Sequence, residues 1–329
     1  MNILVTGGAG YIGSVTAVAL LEAGHQVTVY DSLVKGRREA LPHNLAHGRF
    51  VQADVGNRDA LDDVLGGEPF DAIVHFAAFI EAGESMLDPG RYFRNNVCHS
   101  QILIEAAVAH RVRRFVFSSS AGVYAGQEGL ITEDARLEPA NVYGQTKLMI
   151  EQMLDWYRRI YGLHYAALRY FNAAGAAPGR GEAHSPETHL IPLTLQVALG
   201  QRETIKVFGT DYPTPDNSCI RDYIHVEDLA TAHVLAVEAL GEREKLVYNL
   251  GNGTGYSVKE VIQVAREVTG HPIPAVETGR RPGDSPMLVA SSERISRELG
   301  WRPQYPSLHT IVETAWEWHR GHLHGYEGQ

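Results

Sequence analysis

One short stretch, NILVTGGAGYIG at residues 2–13, constrains the fold of this chain more than any other. The run NILVTG reads as a buried strand, and IGSVTAVALLEAG reads as a helix ending at Gly24. Gly7, Gly10 and Gly13 lie at the junction. Glycines there let the backbone turn tightly and approach a pyrophosphate, while the helix N-terminus offers free N–H groups and the positive end of its dipole. A glycine pattern alone also fits an ordinary tight turn. Here three conditions meet: a strand before, a helix after, and an acid, Asp31, closing the next strand, QVTVYD. An acid at that distance accepts from a ribose diol. Its charge repels a 2′-phosphate, so NAD is expected rather than NADP. Arg37 and Arg38, which a 2′-phosphate would need, lie several residues past the strand and are expected to face solvent. Asp54, closing FVQAD, fits either an adenine contact or a plain acid at a strand end.

The same alternation continues. FVQADV, AIVHFAA, RFVFSSS and YAALRYFN read as further strands, with RDALDDVLG, the stretch around NNVCHSQILIEAAVAH, and QTKLMIEQMLDWYRRIYG between them. Continuously apolar strands alternating with helices predict an α/β fold, a doubly wound parallel sheet. Past residue 172 the texture turns to Gly, Pro, Ala and His, as in AAGAAPGRGEAHSPETH. A smaller α/β domain is expected there, giving domains 1–172 and 173–329. Parts of 221–252 again read as strand, helix, strand and are candidates to fold back onto the first domain.

Composition excludes several roles. The net charge of −10 offers no basic field for nucleic acid or an acidic membrane. Cys98 and Cys219 are the only cysteines and no C-x-x-C occurs, which suits a reducing, cytoplasmic setting. The N-terminus lacks a basic leader segment, and glycines interrupt its apolar run, so it does not read as a signal peptide. No run approaches the ~18 apolar residues of a membrane span.

YGQTK sets Tyr143 and Lys147 four residues apart, on one face of a helix. Alone, such a pair is most often a solvated face. Ser118, Ser119 and Ser120 end a buried strand, at the edge where α/β sheets present active sites; alone, they fit a polar strand end satisfying loop amides. Taken with the glycine turn, GGAGYIG and YGQTK resemble the extended short-chain dehydrogenase/reductase family. Longer stretches resemble the UDP-glucose 4-epimerase family within it: HFAAFIEAGES, NNV, SSSAGVYAG, LRYFNAAGA, PETHLIPL, VFGTDYPTPD, RDYIHVEDLA, YNLGNGTGYSV and RRPGD. They run in that family's order along nearly the whole chain.

The resemblance implies an enzyme that keeps NAD bound and interconverts UDP-glucose and UDP-galactose, by oxidation at C4 to a ketone and re-reduction from the opposite face. It implies Tyr143 as base, Lys147 as its partner and Ser120 as the third member. Around NAD it places Gly7, Gly10, Tyr11, Ile12, Gly13, Asp31, Ser32, Asp54, Val55, Phe76, Ala77, Ala78, Asn95, Ser118, Tyr143, Lys147 and Tyr170. Around the UDP-sugar it places Ser120, Tyr143, Asn172, His189, Leu190, Phe208, Arg221, Arg281, Asp284 and Leu288, with Leu288 facing the hexose C2 substituent. It also implies a homodimer through helices near 92–110 and 145–161, which carry Ile102, Leu103, Met149 and Met153.

A free phenol titrates near ~10, too high for an efficient base at neutral pH. Lys147 and a positive nicotinamide are both expected to favour the phenolate. The Ser120 hydroxyl can bridge the sugar oxygen and the phenol. Arg221 and Arg281 fit phosphate clamps, or ion pairs with Asp222 or Asp284. Phe208 fits a uracil platform or a core position. Nucleotide-sugar dehydratases carry acids where this chain has Ala121 and Gly122, so plain epimerisation is expected rather than elimination. The spacing of His184 and His189 matches no common zinc pattern, and no metal is expected.

Overall fold

In the computed structural model, which describes residues 1–124, 126, 129–281 and 284–326, the apolar runs pair into one parallel sheet. Its strands are β1 (Asn2–Thr6), β2 (Gln26–Asp31), β3 (Phe50–Gln52), β4 (Ala72–His75), β5 (Arg114–Ser120), β6 (His164–Tyr170) and the later strand Lys245–Leu250. Across the seven-stranded sheet the order is Lys245–Leu250, β6, β5, β4, β1, β2, β3. Every pairing is parallel. The order reverses between β1 and β4, and that crevice is where doubly wound sheets bind ligands.

Alternation along the strands fills both faces. Ile3, Val5, Val74, Val116 and Leu168 bury on one side, and Leu4, Ile73, Phe115, Phe117 and Ala167 on the other. Each of the Val, Leu, Ile and Phe side chains among them contributes roughly 1.5–3 kcal/mol. The first face is covered by helices Tyr11–Glu22 and Val226–Ala239, which pack on each other. The second is covered by Arg58–Gly67, His99–Ala109 and Val142–Tyr161. Thus the segment within 221–252 returns to the sheet: its helix packs on the glycine-turn helix, and its strand pairs with β6.

Helix Val142–Tyr161 is anchored at both ends. The Asn141 side chain accepts from Gly144 N at 2.9 Å, and Gly162 stops the helix with φ +67°. Leu103 is fully buried under the sheet, and Ile102 and Met153 pack on the same cluster. The exposed apolar groups on this helix are instead Trp156, Ile160 and Tyr161.

The remaining chain builds a smaller lobe. Ile220–His225 pairs with Asn172–Ala174, Gly255–Ser257 and Met287–Leu288, and Ile205–Phe208 pairs with Ala275–Thr278. Helices Leu190–Ala198, Val258–Thr269 and Leu308–Gly321 close a third cluster over them. Arg37 and Arg38 do not face solvent as expected. Both are half-buried, and the Arg38 guanidinium lies 4.4 Å over the Phe50 ring, because the short strand β3 brings an aromatic face under that loop. Among the described residues no helix is long and apolar enough to cross a membrane.

Candidate active site

The C-terminal edge of the sheet sets the site. Past β1, Gly7 adopts φ +71°, and a Cβ there would stand 2.5 Å from Ala77 N. A Cβ on Gly13 would strike the Gly7 carbonyl. Only glycine fits either position, and the result is a cradle of backbone at the start of helix Tyr11–Glu22. Asp31 stands beside it. Its carboxylate accepts from Ala9 N at 2.9 Å and Leu33 N at 2.8 Å. Burial raises its pKa, and these two bonds pull it back.

A cavity of about 320 Å³ runs along this edge. Its walls include Gly7, Gly10, Tyr11, Ile12, Gly13, Asp31, Ser32, Asp54, Val55, Phe76, Ala77, Ala78, Asn95, Ser118, Ser120, Tyr143 and Tyr170. Neither Arg37 nor Arg38 is among the lining residues. Asp54 accepts from Gly56 N at 2.7 Å and lies 3.0 Å from the His99 ring. Asn95 is carried by a wide π-helical turn, Phe93–Cys98, a distortion that often marks functional sites. Tyr170 is tied to the His233 ring.

Tyr143 opens helix Val142–Tyr161, and its N–H donates to Ser85 Oγ at 3.1 Å. Ser120 Oγ accepts from Gly122 N at 3.0 Å and faces the Tyr143 phenol, whose anion it favours. Lys147 is one turn deeper, buried behind the cavity wall rather than in it. Its Nζ donates to the Ser118 carbonyl at 2.7 Å and stands 4.9 Å from the Phe117 ring centre. Burial pushes the Tyr143 phenol up to about 12; the Ser120 hydroxyl opposes this and Glu81 adds to it. Burial pushes Lys147 down to about 7, against the pull of Glu151. The expected lowering of Tyr143 by Lys147 is therefore not what the protein's own groups produce. The ammonium is spent on a carbonyl, and burial outweighs it.

A second cavity of about 830 Å³ joins the first. Tyr11, Lys35, Asn172, Glu182 and His189 line both. Leu190, Phe208, Arg221, Arg281 and Asp284 line the second. Asn172 Nδ2 donates to the Asp222 carbonyl at 2.8 Å. Asp284 bridges both arginines, 3.5 Å from Arg221 and 3.1 Å from Arg281. The Arg281 guanidinium also lies 4.6 Å over the Phe208 ring. Asp222, the other expected partner, is no partner at all. It is fully buried and accepts from the backbone N–H groups of Asn252, Gly253 and Ala290. Burial opposes the charge of His189, but the Glu187 bond and the carboxylates of Glu182, Glu187 and Glu81 push it up to about 9.

Leu288 lines neither cavity. It packs on the cluster of Ala121, Val123, Tyr124, Leu148 and Phe171, because its strand pairs Leu288 with Arg221 and turns its side chain to that core. Pro282 and Gly283 of RRPGD and Ala125 of SSSAGVYAG lie outside the described residues. Ser85 and Glu81 are site residues that spacing did not single out. Both come from the EAGES segment, whose only signal was its place in a longer resemblance.

A parallel sheet with a glycine cradle, an acid at the next strand end and a Tyr–Lys helix define a dinucleotide-binding enzyme of the short-chain dehydrogenase type. Residues 3–251 match the NAD dependent epimerase/dehydratase family. The chain belongs to that family. It is 53% identical over 330 residues to a UDP-glucose 4-epimerase of Halalkalibacterium halodurans, covering 99% of this chain and 98% of that one. A crystal structure of a UDP-glucose 4-epimerase superposes with TM-score 0.95 at 48% identity, covering 99% of this chain and 100% of the other. That of Bifidobacterium longum, in complex with NAD+ and UDP, superposes with TM-score 0.93 at 34% identity, covering 99% and 100%.

Proposed function

We propose that this chain is an NAD-dependent isomerase that interconverts UDP-glucose and UDP-galactose through a 4-keto sugar. The observation that carries the reading is the joining of two cavities through Asn172 and His189. One cavity holds the glycine cradle and Tyr143, and the other holds Arg221 and Arg281. The backbone cradle fits a pyrophosphate, and Asp31 fits an unphosphorylated ribose. NAD held there would supply the hydride acceptor, and later the donor, for the sugar C4.

The chain's own residues do the rest. Tyr143 takes the C4 hydroxyl proton and later gives it back. Ser120, beside the phenol, holds the sugar oxygen in line. Lys147 fixes the end of β5 through the Ser118 carbonyl. Arg221 and Arg281 hold the diphosphate, and Phe208 supports the uracil side of the cavity. The hexose must show both faces to one hydride position, so it turns while the UDP end stays anchored. Ala121 and Gly122 offer no acid for elimination across C5–C6.

Residues 1–172, with the returning helix and strand of 221–252, form the NAD-binding part, and the rest of 173–329 forms the UDP-sugar part. The working unit is a homodimer, and its setting is the cytoplasm. The test is direct. Purified protein given UDP-galactose forms UDP-glucose, followed by NMR, with no net NADH produced. Failure to form it while binding NAD and UDP would defeat the reading.

A further inference from the structure

One face of helix Val142–Tyr161 carries three polar groups, not two. Tyr143, Lys147 and Glu151 follow one another at four-residue steps, so they stack along the same side of the helix. Beside that face runs the end of β5, where three serines stand in a row. Ser120 Oγ faces the Tyr143 phenol. The Ser118 carbonyl accepts from Lys147 Nζ at 2.7 Å. The serine between them, Ser119, donates its hydroxyl to Glu151 Oε1 at 2.5 Å. Each serine thus answers one of the three helix residues, and Glu151 is the one to which the chemistry above gives no task.

Glu151 is held in a fixed direction. Arg169, on the neighbouring strand β6, donates Nε to its Oε1 at 3.0 Å and Nη2 to its Oε2 at 2.6 Å. Arg169 Nη1 donates to the Tyr124 hydroxyl at 2.7 Å, and that hydroxyl donates on to Asn249 Oδ1 at 2.6 Å. Glu151 and Arg169 are both buried. Stability alone does not call for such a pair, because apolar residues of the same volume often serve as well as a buried ion pair. An apolar residue at 151 could neither accept from Ser119 nor place a negative charge one turn from Lys147.

That charge has a target. Lys147 is buried, and what opposes its burial is the charge of Glu151. Among the described residues, the other groups around the ammonium supply no counter-charge. They are the Ser118 carbonyl and the rings of Phe117 and Tyr143. His75, on β4, is neutral: burial, and then the Lys147 charge, push it down to about 3.

We propose that Glu151 is a positioning residue for the proton transfer at Tyr143: its carboxylate ties Ser119, and with it the Ser118–Ser120 strand end, to the helix, and supplies the negative charge that accompanies the Lys147 ammonium. Arg169 acts one step further out, by aiming that carboxylate. The effect on turnover rests on the epimerase reading given above; the coupling of Glu151 to Lys147 does not.

The coupling is read directly. The chain has five lysines, Lys35, Lys147, Lys206, Lys245 and Lys259, so lysine labelled with carbon-13 at Cε gives a simple NMR spectrum. The Lys147 signal is the one missing from Lys147→Met. Its titration is followed in the full chain as purified. Glu151→Gln keeps an oxygen for Ser119 and removes the charge, so Lys147 loses its proton at a pH lower by about one unit or more. Arg169→Gln breaks the same ion pair but leaves the carboxylate, and the Lys147 titration holds or moves up. A merely structural pair would disturb Lys147 alike in both variants. Should the lone arginine left by Glu151→Gln unfold the chain, Glu151→Gln/Arg169→Gln removes both charges and shows the same downward shift. In turnover of UDP-galactose the folded Glu151 variant loses roughly 10–100-fold in kcat with KM unchanged. An unmoved Lys147 titration in the folded Glu151 variant, or an equal downward shift in Arg169→Gln, overturns the charge role. A kcat at the wild-type level overturns the positioning role. If wild type itself leaves UDP-galactose unchanged, the epimerase reading has failed, and the titration still decides the coupling.

Discussion

The Lys147 ammonium lies 5.7 Å from the centre of the Tyr143 ring and gives its hydrogen bond to the Ser118 carbonyl, 2.7 Å away. Lysine and tyrosine share a helix face, yet their coupling runs through the end of β5, which also carries Ser120. Burial drives both groups toward their uncharged forms. What can restore the phenolate is a positive charge entering the same cavity.

Tyr143→Phe tests the base. The phenyl ring keeps the packing and removes only the hydroxyl, so NAD and UDP affinities should hold while kcat falls by roughly 10²–10⁴. Single-turnover and binding measurements separate the two. A variant with kcat near wild type would remove Tyr143 from the chemistry.

Lys147→Met should trade activity for stability. The folded-state value of about 7 lies below the ordinary 10.5. Between these two values the unfolded chain holds the extra proton, so native stability rises with pH across that window and is lost as pH falls through about 7. Below it, the full burden of a buried ammonium remains. With the cofactor stripped, Lys147→Met should raise Tm relative to wild type at pH 6, by an amount on the order of 1 kcal/mol, and less at pH 10. Its epimerase activity should be nearly absent. A Tm gain that grows with pH would contradict the burial argument.

Asp31 braces the glycine turn through Ala9 N and Leu33 N, and its proposed role is to hold the cofactor ribose there. Protein denatured after purification should release NAD or NADH without a 2′-phosphate. Asp31→Ala should lose bound cofactor on gel filtration and lower Tm, because the Ala9 and Leu33 N–H groups lose their acceptor, at roughly 1–3 kcal/mol for each left buried. NADP as the main species released would refute the role of Asp31.

Much of this was legible because it is local. The glycine turn, Asp31 and the Tyr143–Lys147 pair are spacing features of one strand or one helix. What escaped depends on contacts between distant segments. Ser85 reaches the Tyr143 N–H from 58 residues away. The return of Lys245–Leu250 to the first sheet was legible as a strand, but its partner, His164–Tyr170, was not. Asp222 adjoins Arg221 in sequence, but strand alternation sends the two side chains apart, and Asp284 takes the arginine instead. Of the apolar residues named for a dimer, Leu103 instead fills the core, while the exposed apolar residues of helix Val142–Tyr161 are others.

Those exposed residues give the next prediction. Trp156, 59% exposed, and Ile160, 64% exposed, lie one turn apart on helix Val142–Tyr161. A homodimer through this helix should dissociate when both become glutamate, since charges would be buried without partners. Light scattering at micromolar concentration should show a dimer for wild type and a monomer for the double variant. A wild-type monomer would end the proposal.

The last prediction concerns sugar choice. Leu288 does not line the cavities, yet it packs on Ala121 and Phe171, the neighbours of Ser120 and Asn172. We propose that it acts on the hexose end through those residues, as a support behind the wall. Leu288→Ser removes half-buried bulk that packs on a buried cluster, and two effects should follow together. Packing is lost, so Tm falls, with a cost on the order of 1–3 kcal/mol because only part of the side chain is buried. The wall beside Ser120 also gains room to recede, which favours a hexose with a larger C2 substituent. Discrimination by a few carbons is typically worth ~1–3 kcal/mol. Wild type should thus turn over UDP-N-acetylglucosamine poorly but measurably, and the variant should gain on it relative to UDP-galactose. If Tm falls with no change in the ratio of kcat/KM between the two sugars, Leu288 is a packing residue alone. If the ratio moves while Tm holds, the side chain meets the sugar directly, and its packing in this cluster is not what sets specificity.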